Sequence, residues 1–488
     1  MKLVLGADSS TQSVKVEARV ADTGELIATG RASHPPTTPP VSEQDPHSWW
    51  EAFVDAVQQL GDARKDVAAI SIAGQQHGLV LLDEHGEPLR PAKLWNDTTS
   101  APQADRLVES LGAHWWADHT GSVPVAAFTI TKLAWVAENE PELFKRVHKV
   151  MLPHDYLTYR LSGAHVTDRG DASGSGWFDA VGATTVTEAL VAATGESDWE
   201  GRVPTVLGPT ETAGSILPDV ADALGVPSGI LIGPGTGDNM GAALGLGLGE
   251  GDMVISLGTS GTVYARSAQR TSDPSGAVAG FCDATGQYLP LVCSLNATKV
   301  TDTIASLLGT DAPGLSELAL NAGTDVIEPT VVPYFDGERT PNRPDARGLM
   351  AGLTTATSRE EIARAAHDGV LCGLLEGAQA LVDAGASDSG RLFLVGGGAQ
   401  SAAYRQRLAT IAEKTVYVPQ NDETVAVGAA LQAAAICGGG ALDDLTGSWG
   451  VDASEATEPT ADGNGSEIRE RYRSSASFDD GLCRPIAP

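Results

Sequence analysis

Cysteine is scarce in this 488-residue chain, and basic residues are heavily outnumbered. The five cysteines (Cys282, Cys293, Cys372, Cys437 and Cys483) form no CxxC pair and no histidine-linked metal spacing. That excludes a disulfide scaffold and a zinc module, and thiols set in apolar runs point to a reducing cytoplasm. Lys and Arg number 32 against 63 Asp and Glu, a formal net charge of −31. Such a surface repels nucleic-acid phosphate and anionic membrane, so neither is expected as a partner. Long apolar runs are missing too. The longest, Val425 to Cys437, is 13 residues and contains Gln432, which suits a buried helix and falls short of a bilayer. The opening MKLVLGADSS has too few apolar residues for a signal-peptide core. Also absent are GxxxxGK[ST] and a GxGxxG following a strand, so the two commonest nucleotide folds are not indicated. Any phosphate must be held locally, by backbone amides, Mg²⁺ or single basic residues.

What is present describes a folded protein. Hydrophobic residues make up 42% and charged residues 19%, an ordinary globular balance. The length exceeds what one compact core supports, so at least two large domains are expected. The stretch that organises the rest is Gly233 to Gly241, GPGTGDNMG. It links a strand-like Gly229–Ile232 to a helix-like segment from Met240 to Leu248. Its one ionisable side chain, Asp238, stands where the strand stops and the helix begins. A carboxylate there can serve as a general base, or it can cap the helix.

The chain's first residues read as a hairpin: strand Lys2–Ala7, polar turn Asp8–Ser13, strand Val14–Val20. Backbone amides and hydroxyls at its tip make a phosphate cradle, with Asp8 placed to hold a water of Mg²⁺. The same pattern returns at Met253–Arg266, where Gly258-Thr259-x-Gly261-Thr262 matches Ser10-Thr11-x-Ser13-Val14 at an offset of 248 residues. A repeat at that distance implies two similar domains, each opening with a hairpin. Between them, Val67–Ala73 and Leu79–Leu82 read as strands around Gly74-Gln-Gln-His-Gly78, whose amides and imidazole suit the hydroxyls of a polyol. LWND at 94–97 and PHDY at 153–156 add polar groups beside aromatics. Trp49–Leu60 and Arg359–Gly377 read as amphipathic helices. Strand Arg391–Val395 leads into Gly396-Gly-Gly-Ala-Gln400, where a ligand can lie against the backbone. Residues 438–465 are rich in Gly, Asp, Glu, Thr and Ser, and are expected to be mobile before a last helix near Ser466–Ser475.

In this order the windows resemble the FGGY family of carbohydrate kinases, over about residues 1–440. DSSTQS at 8–13 and SLGTSGT at 256–262 look like the family's two phosphate motifs, and GGGAQS at 396–401 like its adenosine motif. GERTP at 337–341 and LWND resemble the ketopentose-phosphorylating branch. The resemblance implies an α/β, two-domain fold of the actin/hexokinase (ribonuclease H-like) type, with mixed sheets flanked by helices and ATP in the interdomain cleft. The expected domains are 1–243 for sugar, 244–440 for nucleotide, and an acidic, Gly-rich tail at 441–488. It implies Asp238 as base, with Gln76, His77 and Asn239 joining it at the sugar. Thr11, Gly258, Thr259, Gly397 and Gln400 would contact ATP, and Asp8 would hold Mg²⁺, through water. Gln76 stands where the branch often has Met. The implied reaction is ATP-dependent phosphorylation of D-xylulose at its 5-hydroxyl. The rivals are a kinase for ribulose, gluconate or glycerol, or a non-catalytic ATP-binding sensor or chaperone. A sugar and ATP are the partners implied, with a homodimer as a further option.

Overall fold

The computed structural model describes all residues except 324–327, 422, 439, 461–463 and 478–488. Cys483 lies outside the described residues. The chain divides into two compact units. The first comprises Met1–Leu248, Ser272–Leu289 and Glu423–Asp452; the second comprises the described parts of Gly249–Thr271, Pro290–Asp422 and Ala453–Pro488.

The first unit is built on a mixed sheet. Its strands are β1 (Leu3–Ser9), β2 (Ser13–Val20), β3 (Leu26–Ser33), β4 (Val67–Gly74), β5 (Gly214–Ser215), β6 (Leu231–Ile232) and β7 (Thr236–Gly237), in the order β5-β6-β4-β1-β2-β3 with β7 also on β4. β1, β2 and β3 form an antiparallel meander, whereas β4 runs parallel to β1, β6 and β7. Alternation along β1 sends Leu3, Leu5 and Ala7 to one face and Val4 and Gly6 to the other. Helix Pro46–Gln58 covers the first face with Trp49, Phe53, Ala56 and Val57. Each large apolar side chain fully buried there contributes roughly 1.5–3 kcal/mol. Asp45 starts this helix by accepting from the His47 amide, and Pro46 takes a position where no amide is needed. The opposite face carries the Ala-rich helix Thr424–Gly438, whose Ala430, Ala433 and Ala434 pack on Val4 and Ala69. A Cβ on Gly6 would meet the Ala426 carbonyl at 2.1 Å, so only glycine lets helix and strand approach this closely.

The second unit repeats the plan. Strands β8 (Met253–Leu257), β9 (Gly261–Ala265), β10 (Tyr288–Ser294), β11 (Leu392–Val395), β12 (Val416–Pro419) and β13 (Ser454–Thr457) lie in the order β10-β9-β8-β11-β12-β13. β8 and β9 form the second hairpin, and β11 pairs parallel to β8 as β4 does to β1. The long helix is Arg359–Asp383, opened by a capping box in which Ser358 and Glu361 satisfy each other's amides.

Several expected boundaries move. β1 runs on through Asp8 to Ser9, because parallel pairing with β4 holds those residues in register with Ala73 and Gly74. The turn is therefore only Ser10–Gln12. The Asp238 helix spans Asp238–Gly245 and so starts at the aspartate rather than at Met240. Glu423–Asp452 and Ser272–Leu289 group with the first unit, across the boundaries expected at 243/244 and 440/441. The segment expected to be mobile contains helix Leu442–Trp449 and β13. The Trp449 indole lies against Gly24 and donates to the Ala21 carbonyl at 3.2 Å, while β13 pairs along β12. Tertiary partners that composition does not reveal order both pieces. The last helix is Gly465–Ser477.

Candidate active site

In the first unit every expected site residue lies at the carboxyl end of a parallel strand. β1, β4 and β7 end level with one another, Ser9 opposite Gly74 and Gly237 opposite Gly74. The Gln75 amide donates to the Ser9 carbonyl at 2.9 Å, tying the sugar loop to the hairpin tip. Thr11 donates its hydroxyl to Gln75 Oε1 at 2.9 Å and accepts from Trp95 Nε1 at 3.0 Å. Trp95, 45% exposed, stands over this tip. Half of the other tryptophans pack inside, Trp49 and Trp116 fully buried.

Asp238 occupies the first helical position, with Gly237 as the cap residue. Its Oδ1 accepts from the Asn239 amide at 2.7 Å and from Asn239 Nδ2 at 2.9 Å. The cap position thus belongs to Gly237, while the Asp238 carboxylate satisfies one first-turn amide of its own helix. Asn239 Nδ2 also donates to Gln76 Oε1 at 2.8 Å. One asparagine thus joins the acid to the sugar loop. Burial pushes the Asp238 carboxyl up to about 6, against the two Asn239 hydrogen bonds, which favour its charged form.

Asp8 lies opposite Lys15 in the hairpin. Burial, then the charges of Asp238 and Glu423, push its carboxyl up to about 7. Its Oδ1 is buried and lacks a hydrogen-bond partner. An orphaned, repelled carboxylate oxygen fits a cation ligand. Among the described residues no group of three His, Cys, Asp or Glu side chains is set to hold a metal.

His77 adopts a left-handed backbone conformation (φ 65°). Its ring lies 5.0 Å from that of Phe128 and 5.3 Å from that of Phe281. A Cβ on Gly174 would reach 2.3 Å from its Cε1. The imidazole is thus clamped between two aromatic rings and a glycine.

Behind the Asp238 turn is a cluster that the motifs do not announce. Fully buried His154 places Nε2 3.3 Å from Asp155, 3.3 Å from Asp168 and 3.4 Å from Asp171. Burial acts to lower its pKa, but the three carboxylates win and raise it to about 9. Asp168 also accepts the Thr236 hydroxyl at 2.8 Å and the amides of Gly170 and Asp171. A Cβ on Gly235 would meet His154 Nδ1 at 2.5 Å. The PHDY window contains His154 and Asp155. Asp168 and Asp171 lie in DRGDAS, and only the density of acids beside small residues distinguishes that run in the sequence.

The second unit brings its four expected residues to the ends of two adjacent parallel strands. β8 and β11 are in register at Ser256 and Val395, so Gly258-Thr259 and the Gly396–Gln400 turn leave the sheet side by side. Gly396 has φ 84°, and a Cβ there would lie 2.7 Å from the Leu257 carbonyl. Gly397 has nothing within 4 Å of a modest side chain's first atom, and Gly258, Thr259 and Gln400 are exposed. Backbone is bare here, as a nucleotide requires.

Two units of one strand order, with small-residue turns and an acid at the carboxyl ends of parallel strands, define a two-domain α/β fold of the actin/hexokinase type. The models of the FGGY family of carbohydrate kinases match residues 3–245 (N-terminal domain) and 253–437 (C-terminal domain). The xylulose kinase of Streptomyces coelicolor is 47% identical over 467 residues, 94% of each chain. That of Streptomyces rubiginosus is 48% identical over 438 residues, 90% of this chain and 88% of its own. The crystal structure of xylulose kinase from Bifidobacterium adolescentis superposes with a TM-score of 0.85 at 41% identity, covering 97% of this chain and 99% of that one. The chain belongs to the FGGY family of carbohydrate kinases. It is an enzyme whose substrates are a sugar and ATP. Among the described residues no single helix is long and apolar enough to cross a membrane.

Proposed function

We propose that the protein transfers the γ-phosphoryl group of ATP to the 5-hydroxyl of D-xylulose, with Asp238 as general base. The observation that carries this reading is Asn239, whose one amide nitrogen reaches both Asp238 Oδ1 (2.9 Å) and Gln76 Oε1 (2.8 Å). A group that binds sugar hydroxyls is thereby fixed beside a group that accepts a proton. The names of the relatives support the choice of sugar.

Phosphoryl transfer asks a protein for position and charge neutralisation more than for covalent chemistry. Gln76, His77 and Asn239 orient the acceptor hydroxyl toward Asp238, which takes its proton as transfer proceeds. Thr11, Gly258 and Thr259 contact the phosphates, and Gly397 and Gln400 the adenosine. Asp8, whose buried Oδ1 lacks a partner, would hold Mg²⁺, and the ion would neutralise phosphate charge. The buried thiols of Cys282 and Cys372 are consistent with a reducing cytoplasm as the site of action.

The test is sugar phosphate formation, measured with coupled ADP release, on a panel of D-xylulose, ribulose, gluconate and glycerol. Replacing Asp238 with Ala is expected to lower turnover by about two to four orders of magnitude, the usual worth of a positioned base. Activity on gluconate without activity on xylulose would overturn the substrate. Full turnover in the Asp238→Ala protein would overturn the base.

A further inference from the structure

The GERTP segment at 337–341 takes no part in the site as drawn, yet it contains a buried acid. Glu338 is 2% exposed. Its Oε2 accepts the Ser294 hydroxyl at 2.9 Å and Asn296 Nδ2 at 2.9 Å; its Oε1 accepts the amides of Leu295 at 2.8 Å and Arg339 at 2.7 Å. Asn296 Nδ2 also donates to the Gly337 carbonyl at 2.6 Å. One carboxylate therefore fixes the backbone that leaves β10.

That backbone reaches on to the second hairpin. The amide of Ala297 donates to the Thr259 carbonyl at 3.3 Å, and that of Thr298 to the Gly258 carbonyl at 3.0 Å. In a trans peptide the C=O and the following N–H point in opposite directions. Holding the Gly258 and Thr259 carbonyls toward Ala297 and Thr298 therefore turns the N–H groups of Thr259 and Ser260 the other way. Both residues are exposed at the tip of the second hairpin, where paired amides form a concavity for an anion.

We propose that Glu338 is a positioning residue for nucleotide: through the 294–298 loop it aims the Thr259 and Ser260 amides at a phosphate of ATP. The proposal rests on the reading that the Gly258-Thr259 turn contacts ATP, and its test separates the two. Nucleotide affinity is measured on the full chain by calorimetry with ADP and with ATP. D-Xylulose affinity is measured separately by tryptophan fluorescence, and folding by thermal melting. Glu338→Gln replaces one acceptor oxygen by a donor facing donors. It is expected to weaken ADP and ATP about tenfold or more, on the scale of a buried unsatisfied group, with sugar affinity within about twofold of the parent. Ser294→Ala removes a single partner and is expected to act in the same direction, less strongly, with the melting transition retained. It serves where Glu338→Gln folds poorly. Gly258→Val and Thr259→Pro, which disturb the turn itself, serve as controls. If they weaken nucleotide while Glu338→Gln and Ser294→Ala leave it at the parent value, the inference falls and the phosphate turn stands. If the controls bind nucleotide normally, the phosphate reading falls and takes the inference with it. Equal loss of sugar and nucleotide affinity in Ser294→Ala would reduce Glu338 to a general structural role and overturn the proposal.

Discussion

At the scale of single residues, the Asp238 carboxyl is governed by a contest between burial and Asn239. Burial raises its pKa and the two hydrogen bonds from Asn239 lower it, leaving about 6. A base works only when ionised, so turnover should be half-maximal near pH 6 and fall about tenfold per unit below it. Asn239→Ala keeps the backbone amide and deletes the side-chain donor. A hydrogen bond to a charged group is worth about 1.5 kcal/mol or more, and one pKa unit is about 1.4 kcal/mol, so the acid limb should move upward by roughly one unit. Log kcat against pH for parent and variant checks this. A limb that stays in place while turnover drops would mean that Asn239 serves only to orient the sugar loop. His154 poses the reverse case: burial lowers its pKa, but Asp155, Asp168 and Asp171 around it raise it to about 9.

At the scale of elements, the Asp238 helix is positioned by backbone contact with helix Thr424–Gly438. A Cβ on Gly428 would come 2.0 Å from the Gly241 carbonyl, and one on Gly245 would come 1.9 Å from the Thr424 carbonyl. No side-chain rotation relieves a clash with backbone. Gly428→Ala should therefore destabilise the protein by about 1–3 kcal/mol, the usual range for overpacking, and lower turnover by displacing Asp238. Gly438→Ala, with nothing within 4 Å of the new atom, is the matched control. Circular-dichroism melts of both decide it; equal melting temperatures would remove the crossing as a structural constraint. The Gly/Ala-rich windows were legible in the sequence as helices, and the hairpins as hairpins, because apolar periodicity and turn residues are local signals. The motif residues at the strand ends were legible for the same reason. What was not legible depends on distant partners. Asp168 reaches Thr236 across 68 positions, and Trp449 finds Gly24 only after both units of sequence have been laid down. The Leu442–Trp449 helix therefore reads as a polar linker until its indole has a surface to cover.

At the scale of the whole molecule, the two hairpin-led units share one plan but the chain's charge does not serve it. A formal net charge of −31 opposes the approach of every anionic ligand, and ATP is one. Local groups must overcome that field: Lys15, 2.8 Å from Glu423, and Arg31, which donates to Ser13 Oγ at 3.2 Å, are cations whose charge is felt by Asp8 at the first hairpin. Long-range repulsion is screened by salt, whose Debye length falls to about 10 Å at about 0.1 M, whereas contacts within the site are screened much less. Raising KCl from about 20 to about 200 mM should therefore lower the KM for ATP by about two- to threefold through faster encounter. D-Xylulose carries no charge, so its KM should stay constant across the same range and serves as the internal control. The titration is repeated with potassium acetate to separate screening from anion binding. A KM for ATP that rises with both salts would show that local basic groups, rather than the acidic surface, dominate the field the nucleotide meets.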